Sequence, residues 1–186
     1  NAMASLTVNV NLAPNAGANG DTTVCGNGSS FALFDQLSGG AMPGGTWTKP
    51  GGGTHSGFYQ PPIDAPGSYI YTLTGVTPCP ADVAVVTVTE NPVPNAGVGG
   101  PLALCAGGPS VALFTTLTGS PSANGTWTGP APSTAVFNGS FIPGVTTPGT
   151  YTYTVLGVPP CLNATAAVSV SVVSPPNAGA SRSITI

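Results

Sequence analysis

Apolar and polar residues alternate in short runs, and Gly or Pro interrupts the chain every 8–12 residues. Tyr69-Ile70-Tyr71-Thr72-Leu73 has period two, as do Ala84, Val86 and Val88 against Thr87 and Thr89. Such alternation predicts half-buried strands, with one set of side chains inward and the other facing water. Phe31 and Leu33 alternate like a strand, whereas Phe34 and Leu37 are spaced i,i+3, which predicts a strand ending in one helical turn. No segment sustains a helical period, and the Pro and Gly residues would break one.

The pattern occurs twice. Pro14-Asn15-Ala16-Gly17 returns as Pro94-Asn95-Ala96-Gly97 and again as Pro176-Asn177-Ala178-Gly179, at offsets of 80 and 82 residues. Between these markers Cys25 matches Cys105, Phe34 matches Phe114, and Gly45-Thr46-Trp47-Thr48 matches Gly125-Thr126-Trp127-Thr128. Further on, Tyr69 matches Tyr151, Cys79 matches Cys161, and Ala84, Val86 and Val88 match Ala166, Val168 and Val170. A two-residue insertion falls in a Pro/Ser-rich loop between Trp127 and Tyr151. Tandem modules follow from this order of matches. The expected layout is module one at 14–93 and module two at 94–176. Residues 4–13 read as the last strand of a preceding module, or as an edge strand docked on module one. Residues 177–186 read as the start of a following module, with Ile184 and Ile186 at the places of Leu102 and Leu104. Residues 1–3 look like a tag remnant.

An 80-residue module buries only about 60–65% of its unfolded surface, so hydrophobic burial alone leaves it marginal. Four cysteines allow three connectivities, and the repeat favours one bond inside each module: Cys25 with Cys79, and Cys105 with Cys161. Loops of this length would be stabilised by roughly 4 kcal/mol each. Zinc ligation would need paired Cys or His spacings, which are absent, and His55 is the only histidine. Disulfides imply an oxidising compartment.

The run of Pro-Asn-Ala-Gly, Cys, Phe-x-Leu-Phe, Gly-Thr-Trp-Thr, Pro-Gly-x-Tyr-x-Tyr-Thr and Cys resembles the immunoglobulin-like or PKD-like repeats of large secreted and surface proteins of Bacteroidetes-type bacteria. Adhesin-like and gliding-motility proteins are among them. The resemblance implies an all-β fold of two tandem immunoglobulin-like antiparallel sandwiches, used as stalk or adhesive surface outside the cell. It transfers no binding residue, because the shared motif is structural. Cys79 lies after the Tyr-x-Tyr strand, unlike the second cysteine of antibody domains. The bond is therefore expected to tie the module's opening strand to the loop before its last strand.

Charge narrows the function. Only 4% of residues are charged, Lys49 and Arg182 are the sole cations, and the net charge is −3. A grip on nucleic acid needs clustered cations, and no apolar run of about 18 residues is present to span a bilayer. Between Asn91 and Ser181 there is no Asp, Glu, Lys, Arg or His. Module two therefore lacks the usual general acids and bases. Module one carries Asp21, Asp35, Asp64, Asp82, Glu90, Lys49 and His55, none of which recurs in module two. A Ser–His–Asp arrangement through His55 has no nucleophile elbow behind it, and the Gly-rich surroundings of His55 predict an exposed loop histidine. No metal or cofactor is expected. Glu90 alone stands near the inter-module joint, too few carboxylates for tight calcium binding. Isopeptide cross-linking fails in module two, where Gly129 replaces Lys49.

Trp47, Trp127, Tyr69, Tyr151, Phe34 and Phe114 read as core, the tyrosines with hydroxyls bonded to nearby backbone. Aromatic platforms for sugar are weighed on Trp47, Trp127, Tyr59 and Phe141, and the tryptophans fit a core strand better. Tyr59, His55, Lys49 and Phe137 are the weak binding candidates, being particular to one module. The sequons at Asn27, Asn124, Asn138 and Asn163 read as chance matches in an Asn/Thr-rich chain. The expected function is a non-catalytic stalk or adhesion segment, extracellular or at the cell surface. Its partners would be neighbouring modules, and glycans or other cells through weak multivalent contacts. The rival is a carbohydrate-binding pair appended to a polysaccharide-degrading enzyme. An ice- or mineral-facing Thr ladder is disfavoured by the Pro-broken strands.

Overall fold

The computed structural model describes residues 3–130, 135–177, 179 and 182–184. It divides into two compact units. One runs through Val93 and also takes in Val158–Cys161, and the other comprises Pro94–Gly157 and the chain from Leu162 onward.

The first unit holds β1 (Gly20–Cys25), β2 (Phe31–Ala32), β3 (Thr46–Thr48), β4 (Thr54–His55), β5 (Phe58–Tyr59), β6 (Gly67–Leu73) and β7 (Asp82–Asn91). Five strands form a sheet in the order β1-β7-β6-β3-β4, and β2 with β5 forms a second, two-stranded sheet. The second unit repeats the plan with β8 (Pro101–Cys105), β9 (Val111–Ala112), β10 (Thr126–Thr128), β11 (Val136–Phe137), β12 (Ser140–Phe141), β13 (Gly149–Val155) and β14 (Ala164–Val173). Its large sheet runs β11-β10-β13-β14-β8, with β9 and β12 apart. The chain is thus all-β, two sandwich-like modules in tandem. Leu33–Gln36 and Leu113–Thr116 form single 3-10 turns, the helical turn expected at Phe34 and Phe114.

Alternation fixes which face is core. Tyr69, Tyr71, Ala84, Val86 and Val88 are buried together with Trp47, Leu33 and Ala16, while Ile70 points outward at 41% exposure. Tyr151, Tyr153, Ala166, Val168, Val170, Trp127 and Leu113 do the same in the second unit. Trp47 stacks at 5.0 Å on Tyr71, and Phe34, half-buried, meets Tyr71 edge-on at 5.6 Å. Trp127, Phe114 and Tyr153 repeat this at 5.0 and 5.5 Å.

The recurring motifs are structural pins. Asn15 Oδ1 accepts the Gly17 N–H at 2.9 Å, and its amide donates to Gly39 O and Gly40 O. Asn95 does likewise with Gly97, Gly119 and Ser120. Gly17 has φ +89°, and a Cβ there would stand 2.5 Å from Ser38 O, so glycine is required. In Gly-Thr-Trp-Thr the glycine lies against a tyrosine: Gly45 donates to Tyr71 Oη at 2.7 Å, and a Cβ would meet that ring at 2.5 Å. Tyr69 and Tyr151 donate to Ala65 O and Thr147 O, four residues upstream, each at 2.7 Å.

The opening strand does not run as the cysteine assignment required. β1 pairs with β7 in parallel, Gly20 opposite Val86 and Cys25 opposite Asn91. Cys25 therefore lies beside the end of β7, whereas Cys79 precedes its start at Asp82. Ten residues of strand, about 30 Å, separate the two places. β8 pairs with β14 in the same sense, placing Cys105 opposite Val173. The disulfide is instead Cys25–Cys161, with Cα atoms 5.0 Å apart, and Cys79 and Cys105 are free thiols. The expected bonds inside each module are replaced by one that joins the first repeat's opening strand to the second repeat's loop. It closes within the first unit, to which Val158–Cys161 belongs.

Residues 4–13 take part in no strand, and Leu6, Val8 and Val10 are exposed. The alternation there predicts a strand, but among the described residues no sheet edge is paired with it. Asn11 nonetheless donates to Thr77 O at 3.0 Å. Of 177–186, residues 178, 180, 181, 185 and 186 lie outside the described residues, as do residues 1 and 2 and part of the insertion loop, 131–134. Asn177 accepts the Gly179 N–H at 2.9 Å, as its counterparts do.

Candidate functional site

Four ionisable residues of the first unit, His55, Tyr59, Asp64 and Glu90, are joined in one group. β4 presents His55 opposite Trp47, and the ring packs at 4.8 Å on Tyr69. Its side chain is 7% exposed, so the loop histidine expected in solvent is largely buried. Nε2 lies 3.3 Å from Asp64 Oδ1, and Nδ1 accepts the Gly57 N–H at 3.2 Å. Both ring nitrogens are engaged, so the imidazole has no position left from which to activate a serine.

Asp64 is a turn-former. Its Oδ2 accepts the Gln60 N–H at 2.8 Å. Tyr59, proposed as a surface contact, is fully buried, because β5 turns it into the core against Phe31 and Tyr69. Its hydroxyl stands 2.9 Å from Glu90 Oε2 and 3.1 Å from Asp64 O. Burial, and then the Glu90 carboxylate, push the phenol well above its ordinary range. Tyr69 is raised by burial and by Asp64, and Tyr151 by burial. Asp82 Oδ2 accepts the Ala16 N–H at 2.8 Å.

His55, Asp64, Tyr59 and Glu90 each have a counterpart without a titratable group one repeat on. Phe137, half-buried, packs at 4.6 Å on Tyr151 as His55 does on Tyr69. Thr146 Oγ1 accepts the Ile142 N–H at 3.0 Å as Asp64 does that of Gln60. Phe141 is buried in the place of Tyr59, and Val172 packs in the place of Glu90. Lys49 is exposed near the Gly51–Gly53 turn, where its N–H donates to Gly53 O. The structure brings His55 and Tyr59 around Tyr69, with Lys49 apart and Phe137 in the other unit.

Phe58, which the sequence reading passed over, is the one exposed aromatic among the described residues, at 58%. The signal was present, since Phe58 and Tyr59 are adjacent on a strand and only one can point inward. An open cleft of about 210 Å³ is lined by Leu12, Pro14, Met42, Pro43, Leu73 and Val76, without an ionisable side chain. Among the described residues no three His, Cys, Asp or Glu side chains come together as a metal site, and no helix is long and apolar enough to cross a membrane.

No family model and no curated protein matches the chain. Among solved structures it is similar to the titin I-band fragment I67-I69, at 12% identity over 83% of this chain and 63% of that one, with a TM-score of 0.47. It is also similar to the N-terminal four Ig domains of Dscam1 isoform 6.9, at 15% identity over 87% of this chain and 45% of that one, with a TM-score of 0.42. The chain thus spans less than two thirds of the length of either structure.

Proposed function

We propose that the chain is a non-catalytic stalk or adhesion segment of a large bacterial repeat protein, secreted or held at the cell surface. The observation that supports this most is the substitution pattern between repeats. His55, Tyr59, Asp64 and Glu90 each do a packing or turn-forming task that Phe137, Phe141, Thr146 and Val172 do without a titratable group. A reaction would depend on the charge, whereas a scaffold depends on the shape. The Cys25–Cys161 bond suits an oxidising compartment. A nearly uncharged surface gives no long-range steering, which fits neighbouring modules and weak multivalent contacts to glycans or cells as partners.

The direct test neutralises the cluster. A variant carrying His55→Phe, Tyr59→Phe, Asp64→Thr and Glu90→Val should stay folded, and beads coated with it should attach to cells as wild-type beads do. Loss of attachment by a folded variant would show that the ionisable groups work on a ligand.

The second reading, a carbohydrate-binding pair, draws on the exposure of Phe58. Saturable glycan binding by the isolated chain, abolished by Phe58→Ala, would favour it over the scaffold.

A further inference from the structure

We infer that Asn138 is a self-modifying site, at which the folded chain turns a neutral amide into a carboxylate without an enzyme. An Asn followed by Gly can close on itself, because Gly has no Cβ to obstruct the approach of its nitrogen to the Asn side chain. Four such pairs occur, beginning at Asn19, Asn27, Asn124 and Asn138. The structure separates them.

The attack needs a Gly nitrogen that can shed its proton, and a hydrogen-bonded N–H retains it. Gly28 donates to Cys25 O at 2.7 Å, and Gly125 donates to Tyr153 Oη at 2.8 Å. Gly20 is held in β1 opposite Val86, and Asn19 Oδ1 is tied to the Val85 N–H at 2.8 Å. The Gly139 N–H has no hydrogen-bond partner among the described residues. Its counterpart Gly57 donates to His55 Nδ1 at 3.2 Å, but the ring at that place in the second repeat is Phe137, which has no acceptor. Asn138 is exposed, and its Oδ1 accepts the Ser140 N–H at 3.0 Å. That donor polarises the amide carbon and takes up charge on the oxygen as the tetrahedral intermediate forms. Ser56 stands at the equivalent place in the first repeat, with no amide to react.

The Gly139 nitrogen gives its proton to solvent base and attacks Asn138 Cγ. The Cγ–Nδ2 bond breaks, and Nδ2 leaves as ammonia after taking up a proton. The succinimide ring so formed adds one water. Cleavage at Cγ gives Asp, and cleavage at the main-chain carbonyl gives isoaspartate, with one extra carbon in the backbone. One water is consumed and one ammonia released, with no oxidant or reductant. Either product is ionised at neutral pH, so the formal net charge of −3 becomes one unit more negative. No other charged side chain lies between Asn91 and Ser181. The new charge falls at the corner where the chain leaves β11 in one sheet for β12 in another.

The full chain, folded and oxidised, is held in warm, mildly alkaline buffer. The four pairs are followed by proteolysis and mass spectrometry, with fragmentation that tells isoaspartate from Asp. Asn138 should convert about fivefold faster than Asn27 and Asn124, the rate factor of one net hydrogen bond, and Asn19 should also lag behind it. In urea, with the disulfide reduced, the four rates should converge. Ser56→Asn sets the same pair before Gly57, whose N–H is already bonded. The introduced pair should convert about fivefold more slowly than Asn138, and adding His55→Phe should remove that protection. Equal rates at the four sites in the folded chain, a lead for Asn138 that persists in urea, or no effect of His55→Phe on the introduced pair would each overturn the inference.

Discussion

The Tyr59 hydroxyl lies 2.9 Å from Glu90 Oε2, and the same two positions in the second repeat hold Phe141 and Val172. A polar pair and an apolar pair fill equivalent space. Removing one partner of the polar pair strands the other, whereas removing both restores a matched site. Tyr59→Phe and Glu90→Val should therefore each destabilise the protein by about 1–2 kcal/mol, while the double variant costs less than their sum. Urea unfolding of the four proteins measures the coupling. Strict additivity would show that the bond contributes nothing.

The buried tyrosines set an alkaline limit. Tyr59, Tyr69 and Tyr151 all have phenols raised in the folded state. Below the ordinary tyrosine value of about 10, both folded and unfolded chains keep the proton, and this contribution is fully present. Above it the unfolded chain ionises first, so stability falls as pH rises toward the folded values. Each such tyrosine adds a slope of about 1.4 kcal/mol per pH unit within its window. Chemical denaturation between pH 9 and 12 should show the fall, and Tyr59→Phe should make it shallower. A flat profile above pH 10 would contradict the burial of these hydroxyls.

Asn15 ties three backbone groups, at Gly17, Gly39 and Gly40. Asn15→Ala removes all three bonds, and the loss should be about 1–3 kcal/mol. Asn15→Asp keeps the acceptor to Gly17 but not the donors, so it should recover only part. Equal stability of wild type and Asn15→Ala would mean that the repeated motif is kept for some purpose other than folding.

Much of this was legible in the residues. The offsets of 80 and 82 told of two modules, and the alternation around Tyr69 and Tyr151 told the core face from the outer one. The spacing of Phe34 and Leu37 located a helical turn. What alternation cannot encode is strand direction: the pattern of β1 reads alike whether it pairs with β7 in parallel or antiparallel. The sulfur pairing follows from that direction, and so it was misassigned. His55 was misplaced for another reason, because its flanking glycines suggest a loop. Its counterpart Phe137 carried the better signal, since an aromatic at the same place already implied packing on Tyr151. The burial of Tyr59 was likewise written in Phe141.

The Cys25–Cys161 bond has a mechanical consequence. Tension applied at the two ends of the chain passes from Cys25 to Cys161 through sulfur, bypassing the 136-residue span between them. Stretching a single oxidised chain between its termini should therefore release only the short segments outside the bridge. Adding a reductant should then release a further length of about 490 Å, at about 3.6 Å per residue. Release of both modules' full length before reduction would contradict the account, and so would two shorter reducible increments, one per module.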